Sequence, residues 1–254
     1  IQNEDFNNGE GDFMFEDSFY RPNDLFRIKV LGLFPKATED TLIPFEWLEL
    51  AHDRWKKLKA ENFVPRKYAR VGIDVAGMGR DSSCFIPRYG NYVPEIKTHQ
   101  SGGKADHMKV AGEAVQWLVE KNAKVMIDTI GEGAGVYSRL LELGYDNAYS
   151  CKFSEGTKGL HDITGQYEFA NMRAYCYWAV RDWLNPKNGF NPAFPPCDEL
   201  DAELNEVHWS FQSSGSIIIE AKDNIKVRLK RSPDRADALA STFYPNTKDY
   251  TNDA

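Results

Sequence analysis

The sequence predicts an α/β domain on a central mixed sheet, an antiparallel meander continued by parallel strands, flanked by helices and carrying an added C-terminal hairpin. Three observations lead there. Val71-Gly72-Ile73-Asp74 and Lys124-Val125-Met126-Ile127-Asp128 read as buried strands that each end on an aspartate. Two strand-like runs on either side of Tyr89-Gly90-Asn91 follow the first of them as a hairpin. Beyond these, helical and strand patterns alternate, as they do in α/β domains.

Taken in chain order, residues 1–24 are polar and acidic with Phe13, Phe15 and Phe19 interspersed, and read as an extended arm. Phe26–Val30 is expected as a short strand stopped by Gly32 and Pro35. Pro44 suits the first turn of a helix running to Lys59, with Trp47, Leu50, Ala51, Arg54 and Leu58 on one face. Arm and helix form an N-terminal segment, 1–66, and the main domain spans 67–245 with a tail at 246–254. Within the main domain the expected strands are Arg70–Asp74, Ser83–Arg88 and Tyr92–Thr98, with a glycine-bearing turn after the first. A helix over Ala105–Lys121 leads into the strand ending at Asp128. Gly133–Leu143 is a helix closed by Gly144, and Asp146–Lys152 a further strand. Residues 153–164 read as a loop. The apolar run Gln166–Leu184 reads as a helix whose aromatic positions are core, ended by Asn185-Pro186. Asp198–Val207 is a short helix. His208–Phe211 and Ser216–Ala221 form a hairpin across Ser213-Ser214-Gly215, and Pro233–Phe243 is the last helix. A three-strand meander, then helix, strand, helix, strand, is the order of a ribonuclease H-like fold. In that order the first and fourth strands are neighbours, which puts Asp74 beside Asp128.

Composition sets the outer bounds. A chain of 254 residues with 42% hydrophobic and 27% charged residues can bury a proper core. No apolar run reaches the ~20 residues needed to span a bilayer, so no membrane partner is expected. The acidic opening Ile1-Gln2-Asn3-Glu4-Asp5 is unlike a signal peptide, and the lack of an initiator Met suits a piece of something longer. Cys84, Cys151, Cys176 and Cys197 show no metal or redox spacing and are expected as reduced thiols of a cytoplasm. The net charge of −7 argues mildly against a general coating for nucleic acid. Locally, Lys222, Lys226, Arg228, Lys230, Arg231 and Arg235 face only Asp223 and Asp234 over residues 222–235, which beside a metal site suits a polyanion.

The carboxylates carry the chemistry. Aspartates at strand C-termini lie at the open edge of a sheet, where α/β proteins place their sites. Converging carboxylates repel one another unless a cation sits among them, and all-oxygen ligands ask for a hard divalent metal. Ser232 reads as an N-cap and Pro233 as the first helical position, so Asp234 occupies a first turn where the helix dipole favours an anion. Asp237 lies one turn on, among small apolar residues that explain it less well, and positions three apart share a face. Asp237 is the favoured ligand and Asp234 its assistant. Asp81 either caps the glycine turn or reaches metal through water. Gly131-Glu132-Gly133-Ala134-Gly135 fails the dinucleotide fingerprint at Val136, and its glycines read as room for close approach of metal or backbone. No P-loop is present, so no ATP is expected on this domain.

With these residues in hand, the chain resembles the C-terminal nuclease domain of the large terminase subunit of tailed bacteriophages, over about Phe26–Tyr244. The likeness rests on Arg27-Ile28-Lys29-Val30-Leu31-Gly32-Leu33-Phe34-Pro35, on Gly72-Ile73-Asp74-Val75-Ala76-Gly77 with Asp81, and on Ile127-Asp128 followed by Gly131 and Gly133. Its most specific piece is Leu229-Lys230-Arg231-Ser232-Pro233-Asp234-Arg235-Ala236-Asp237-Ala238-Leu239. By motif the family's metal aspartates fall on Asp74, Asp128 and Asp237, while the place of Asp234 varies. The resemblance implies an endonuclease that cuts concatemeric double-stranded viral DNA in the host cytoplasm during packaging. It also implies an N-terminal packaging ATPase elsewhere in the full subunit, and a portal protein and small terminase subunit as partners. Two Mg²⁺ or Mn²⁺ ions about 4 Å apart would be bridged by Asp74, with Asp128 and Asp237 holding one each. Lys222, Lys226, Arg228, Lys230 and Arg231 are the candidate DNA contacts, Lys222 and Lys226 for phosphates or for charge in the transition state; as exposed lysines they have an equally plain structural reading.

Three rivals stand beside this. An actin-type ATPase would need two duplicated halves. A resolvase or transposase of the same fold would prefer branched DNA. A docking module would grip DNA or portal over a feeble metal site.

Overall fold

Residues 13–15, 18–20, 30–31, 41–65, 69–77, 82–100, 106–120, 122–157 and 159–245 are described by a computed structural model of the chain. β1 (Phe13–Phe15) and β2 (Ser18–Tyr20) form an antiparallel hairpin in the arm. α1 (Phe45–Ala60) follows. The central sheet comprises β3 (Arg70–Asp74), β4 (Ser82–Arg88), β5 (Lys97–Gln100), β6 (Lys124–Asp128) and β7 (Ala148–Cys151) in the order β5-β4-β3-β6-β7. The β3-β4 and β4-β5 pairs are antiparallel, and β3-β6 and β6-β7 are parallel. α2 (His107–Glu120) precedes β6 and α3 (Gly133–Glu142) follows it. Beyond β7 come α4 (Met172–Leu184), α5 (Asp198–Asn205), the hairpin β8 (Trp209–Phe211) with β9 (Ile217–Ile219), α6 (Lys222–Leu229) and α7 (Asp234–Ser241).

Strand alternation sorts the core into two layers. Val71, Ile73, Phe85, Val125 and Ile127 face α2 and α3 and pack with Val110, Ala114, Val136 and Leu140. Cys84 and Ile86 face the other way, into a larger core with Tyr177 and Trp178 of α4 and Ala236 and Leu239 of α7. Phe45, Leu48 and Ala51 of α1 belong to that second core, so this helix is built into the body of the domain. The four cysteines are free thiols, three of them buried. No helix among the described residues is long and apolar enough to cross a membrane.

Four expectations are corrected. The helix expected from Gln166 starts at Met172, because Asn171 caps it: its side chain accepts from Ala174 N, 2.9 Å away. The preceding residues lie alongside β9 instead, with Ala170 N donating to Ile217 O and Ile217 N to Glu168 O. The third strand begins at Lys97 and not at Tyr92. Pro94 lacks an N–H, and Val93 N donates to Ala193 O, outside the sheet. At α7 the N-cap is Pro233, not Ser232. Its side-chain cap is replaced by Glu203 of α5, whose Oε2 accepts from Ala236 N at 2.8 Å. Asp146 and Asn147 form a turn before β7, which also stops one residue short of Lys152. Asp81, most of the glycine turn before it, and the strand expected at Phe26–Val30, save Val30 itself, lie outside the described residues.

Candidate active site

Because Val71 and Ile73 point towards α2, Gly72 and Asp74 point to the opposite face, and the same alternation places Met126 and Asp128 of β6 on that face. β3 and β6 are parallel and in register, Ile73 opposite Ile127, so both aspartates end their strands at one edge. The third carboxylate arrives on α7. A Cβ on Gly72 would lie 1.8 Å from Ala238 O and 2.5 Å from Ser241 Oγ, so only glycine lets the helix backbone settle onto the strand. Ala236, Ala238 and Ala240, all buried, keep the rest of that contact thin. Gly133 serves β6 in the same way: a Cβ there would lie 1.9 Å from Asp128 O. Of the glycines after Asp128, Gly133 thus accommodates backbone, whereas Gly135 lies against the His107 ring.

Between Asp74 and Asp237 stands Lys222, the first residue of α6. Its Nζ is 2.6 Å from Asp237 Oδ2 and 3.4 Å from Asp74 Oδ2. The repulsion that the sequence assigns to divalent metal is relieved here by an ammonium. Among the described residues no group of three or more His, Cys, Asp or Glu side chains is drawn together tightly enough to hold a metal ion. Asp128 is instead half-buried at the neighbouring strand end, its Oδ1 accepting from Ile130 N at 3.0 Å. Burial pushes its carboxyl up to about 6, against the pull of the Ile130 hydrogen bond, and Asp237 raises it further. Burial also holds Asp74 well above the usual carboxylate range; Lys222 opposes this, while Asp237, Asp234 and Asp128 add to it. Asp237 is the ionised partner: burial raises it, but Lys222, Arg173 and Tyr177 together bring it below the ordinary value.

The remaining sequence-predicted residues divide. Asp234 is half-buried, its Oδ2 3.4 Å from Ser82 N, and it contributes to the field felt by Asp74 and Lys222. Arg228 is paired with Glu206 and Glu220, and Arg231 with Glu203, so both guanidinium groups tie α6 and its C-terminal turn to the body. Lys230 is exposed and ends α6 in the left-handed region, φ 57°. Lys226 is half-buried on α6.

Two residues escape the sequence reading. Tyr177 of α4 donates its hydroxyl to Asp237 Oδ1 at 2.5 Å, and Arg173, one turn earlier, has Nη2 3.8 Å from the same oxygen. A cation and a hydroxyl four apart in the largely apolar first half of this helix are the available signal.

No protein-family model matches the chain, and no curated protein matches it. Solved structures do. The nuclease domain of the large terminase subunit gp2 of bacterial virus Sf6 is 24% identical, with a TM-score of 0.64 over 81% of this chain and 100% of that one. Lysine-to-alanine mutants of that domain match over the same shares, with calcium at 24% identity and a TM-score of 0.63, and with manganese at 23% and 0.60. The chain therefore has the ribonuclease H-like fold of a viral large-terminase nuclease domain.

Proposed function

We propose that this chain is a metal-dependent endonuclease of the large-terminase type, cutting concatemeric double-stranded viral DNA during genome packaging. One observation carries the reading: two buried aspartates share a single ammonium at the sheet edge where a third aspartate ends the adjacent strand. The fold supports it, since the Sf6 domain is a nuclease whose mutant form takes manganese. The donor set fits a hard cation. The carboxylates of Asp237, Asp234 and Asp128 all act on Asp74 and raise it, and such a convergence of all-oxygen donors suits a hard cation.

Asp74, Asp128 and Asp237 would hold Mg²⁺ or Mn²⁺, and Asp234 would support them. Such ions supply a nucleophile at neutral pH and an electrophile at the phosphate. Asp237 and Asp74, 2% and 12% exposed in their side chains, set the chemistry against the protein wall, where fixed charges are screened least by water. Lys222, 32% exposed, is long enough to leave the carboxylates and bring its charge to a phosphate oxygen, where negative charge develops in the transition state. Lys226 and Lys230 are the cations of this stretch suited to DNA phosphates, and binding through phosphates falls steeply with salt. Portal protein and small terminase subunit are the proposed assembly partners.

The test is Mn²⁺-dependent nicking of supercoiled plasmid. Asp128→Asn should abolish it while the circular dichroism spectrum stays that of the parent. Cutting at the parental rate would remove Asp128 from the site, and a preference for four-way junctions over linear duplex would move the chain to a resolvase reading.

A further inference from the structure

Asp237 has both oxygens engaged, and the two engagements differ in kind. Oδ2 is held by Lys222 from the solvent side, at 2.6 Å. Oδ1 is held from the core by the Tyr177 hydroxyl at 2.5 Å, with Arg173 Nη2 within ion-pairing but beyond hydrogen-bonding distance at 3.8 Å. Tyr177 is 0% exposed and the Arg173 side chain 13%.

These two residues brace each other. The Arg173 guanidinium lies 4.7 Å from the centre of the Tyr177 ring, and its Nη1 donates to Glu220 O at 2.6 Å, just before α6 begins. Its Nη2 is buried without a hydrogen-bond partner. A phenol buried this fully needs an acceptor for its hydroxyl, and Asp237 Oδ1 provides it; phenylalanine would fill nearly the same volume with no such need. The lysine that engages Oδ2 has an aqueous route away, whereas the tyrosine that engages Oδ1 has none.

We propose that Tyr177 and Arg173 are positioning residues that fix the denticity of Asp237. They anchor Oδ1 to the core, so that Oδ2 alone is presented to a metal ion once Lys222 withdraws. This rests on the metal-dependent reading above. Partners of this kind typically tune metal affinity by about 10–100-fold.

The experiment titrates Mn²⁺ into the full chain and follows the free-ion electron paramagnetic resonance signal, with the spectrum of the bound ion as a second readout. Tyr177→Phe should weaken Mn²⁺ binding about tenfold or more and change the bound-ion spectrum as Asp237 turns to offer both oxygens. Asp237→Asn should weaken it at least as far. A Tyr177→Phe protein with parental affinity and spectrum overturns the proposal and leaves the nuclease reading intact. A parent that binds no Mn²⁺ sinks both readings. If Tyr177→Phe does not fold, Arg173→Lys decides. Lysine keeps the charge but cannot span Glu220 O and Asp237 together, so an affinity fall of about tenfold is expected, and parental affinity refutes.

Discussion

Gly72→Ala adds one methyl group at the contact between β3 and α7. The added carbon would start 1.8 Å from Ala238 O, and real Cβ atoms essentially never come closer than 3.0 Å, so strand and helix must part by at least 1.2 Å. The obstacle is backbone carbonyl and cannot rotate aside. Asp237 moves with that helix, away from Asp74 on the strand. Overpacking of this size costs about 1–3 kcal/mol. At roughly 2–4 °C per kcal/mol for a domain of this size, the melting temperature should fall by about 2–12 °C. A displacement near 1 Å at a reacting centre can cost about 100-fold in rate. Plasmid nicking under saturating Mn²⁺ should therefore fall by about two orders of magnitude at a temperature where the variant is still folded. If Gly72→Ala melts and cuts like the parent, the close strand–helix contact does not set the carboxylate spacing.

Lys222→Gln removes the ammonium between two buried carboxylates. Without metal it should destabilise the chain by about 3 kcal/mol, or roughly 6–12 °C in melting temperature, with much of that regained on adding Mn²⁺. Equal melting of variant and parent in chelator would show that the lysine is not the counter-ion. Asp182 on α4 is 5% exposed, and burial pushes its carboxyl up to about 6, against the pull of Arg181. Its folded value lies above its unfolded one. The stability it contributes is thus complete below about pH 4 and is lost as pH rises through about 6. Asp182→Asn should flatten the melting temperature over that interval, and an unchanged pH slope would contradict it.

How far the sequence discloses this architecture depends on the range of the interaction involved. Strand β3 is legible to the residue because alternation and a terminal aspartate are local signals. The pairing of Asp74 with Asp128 follows from element order, since a meander followed by a crossover brings the first and fourth strands together. The start of α4 is obscured because the residues before Asn171 are nearly as apolar as the helix. They are apolar for another reason, packing beside β9, and only the Asn171 cap marks the change. Arg228 and Arg231 belong to a basic run in sequence but to ion pairs in space. Their partners Glu203, Glu206 and Glu220 come from α5 and the segments beside the hairpin, and no local pattern announces that neutralisation. Gly72 was readable in principle, since glycine inside a strand marks close backbone approach.

The site also settles how the chain can fold before any metal arrives. Unit charges about 4 Å apart under near-surface screening interact by roughly 4 kcal/mol, a large share of the stability of a typical domain. A sheet edge built only from aspartates would carry that repulsion through folding. Here Asp237 is neutralised from three sides by side chains of α4 and α6, and Asp74 shares one of them. Of those three, Tyr177 lies in the core and Arg173 at its margin, while Lys222 reaches in from the rim. A divalent ion therefore has one protein cation to displace, and the displaced ammonium remains tethered beside the place a phosphate would occupy. Under the proposed function, the same lysine that lets the fold bury its acids would assist the reaction, so its loss should be felt in chelator as well as in cutting.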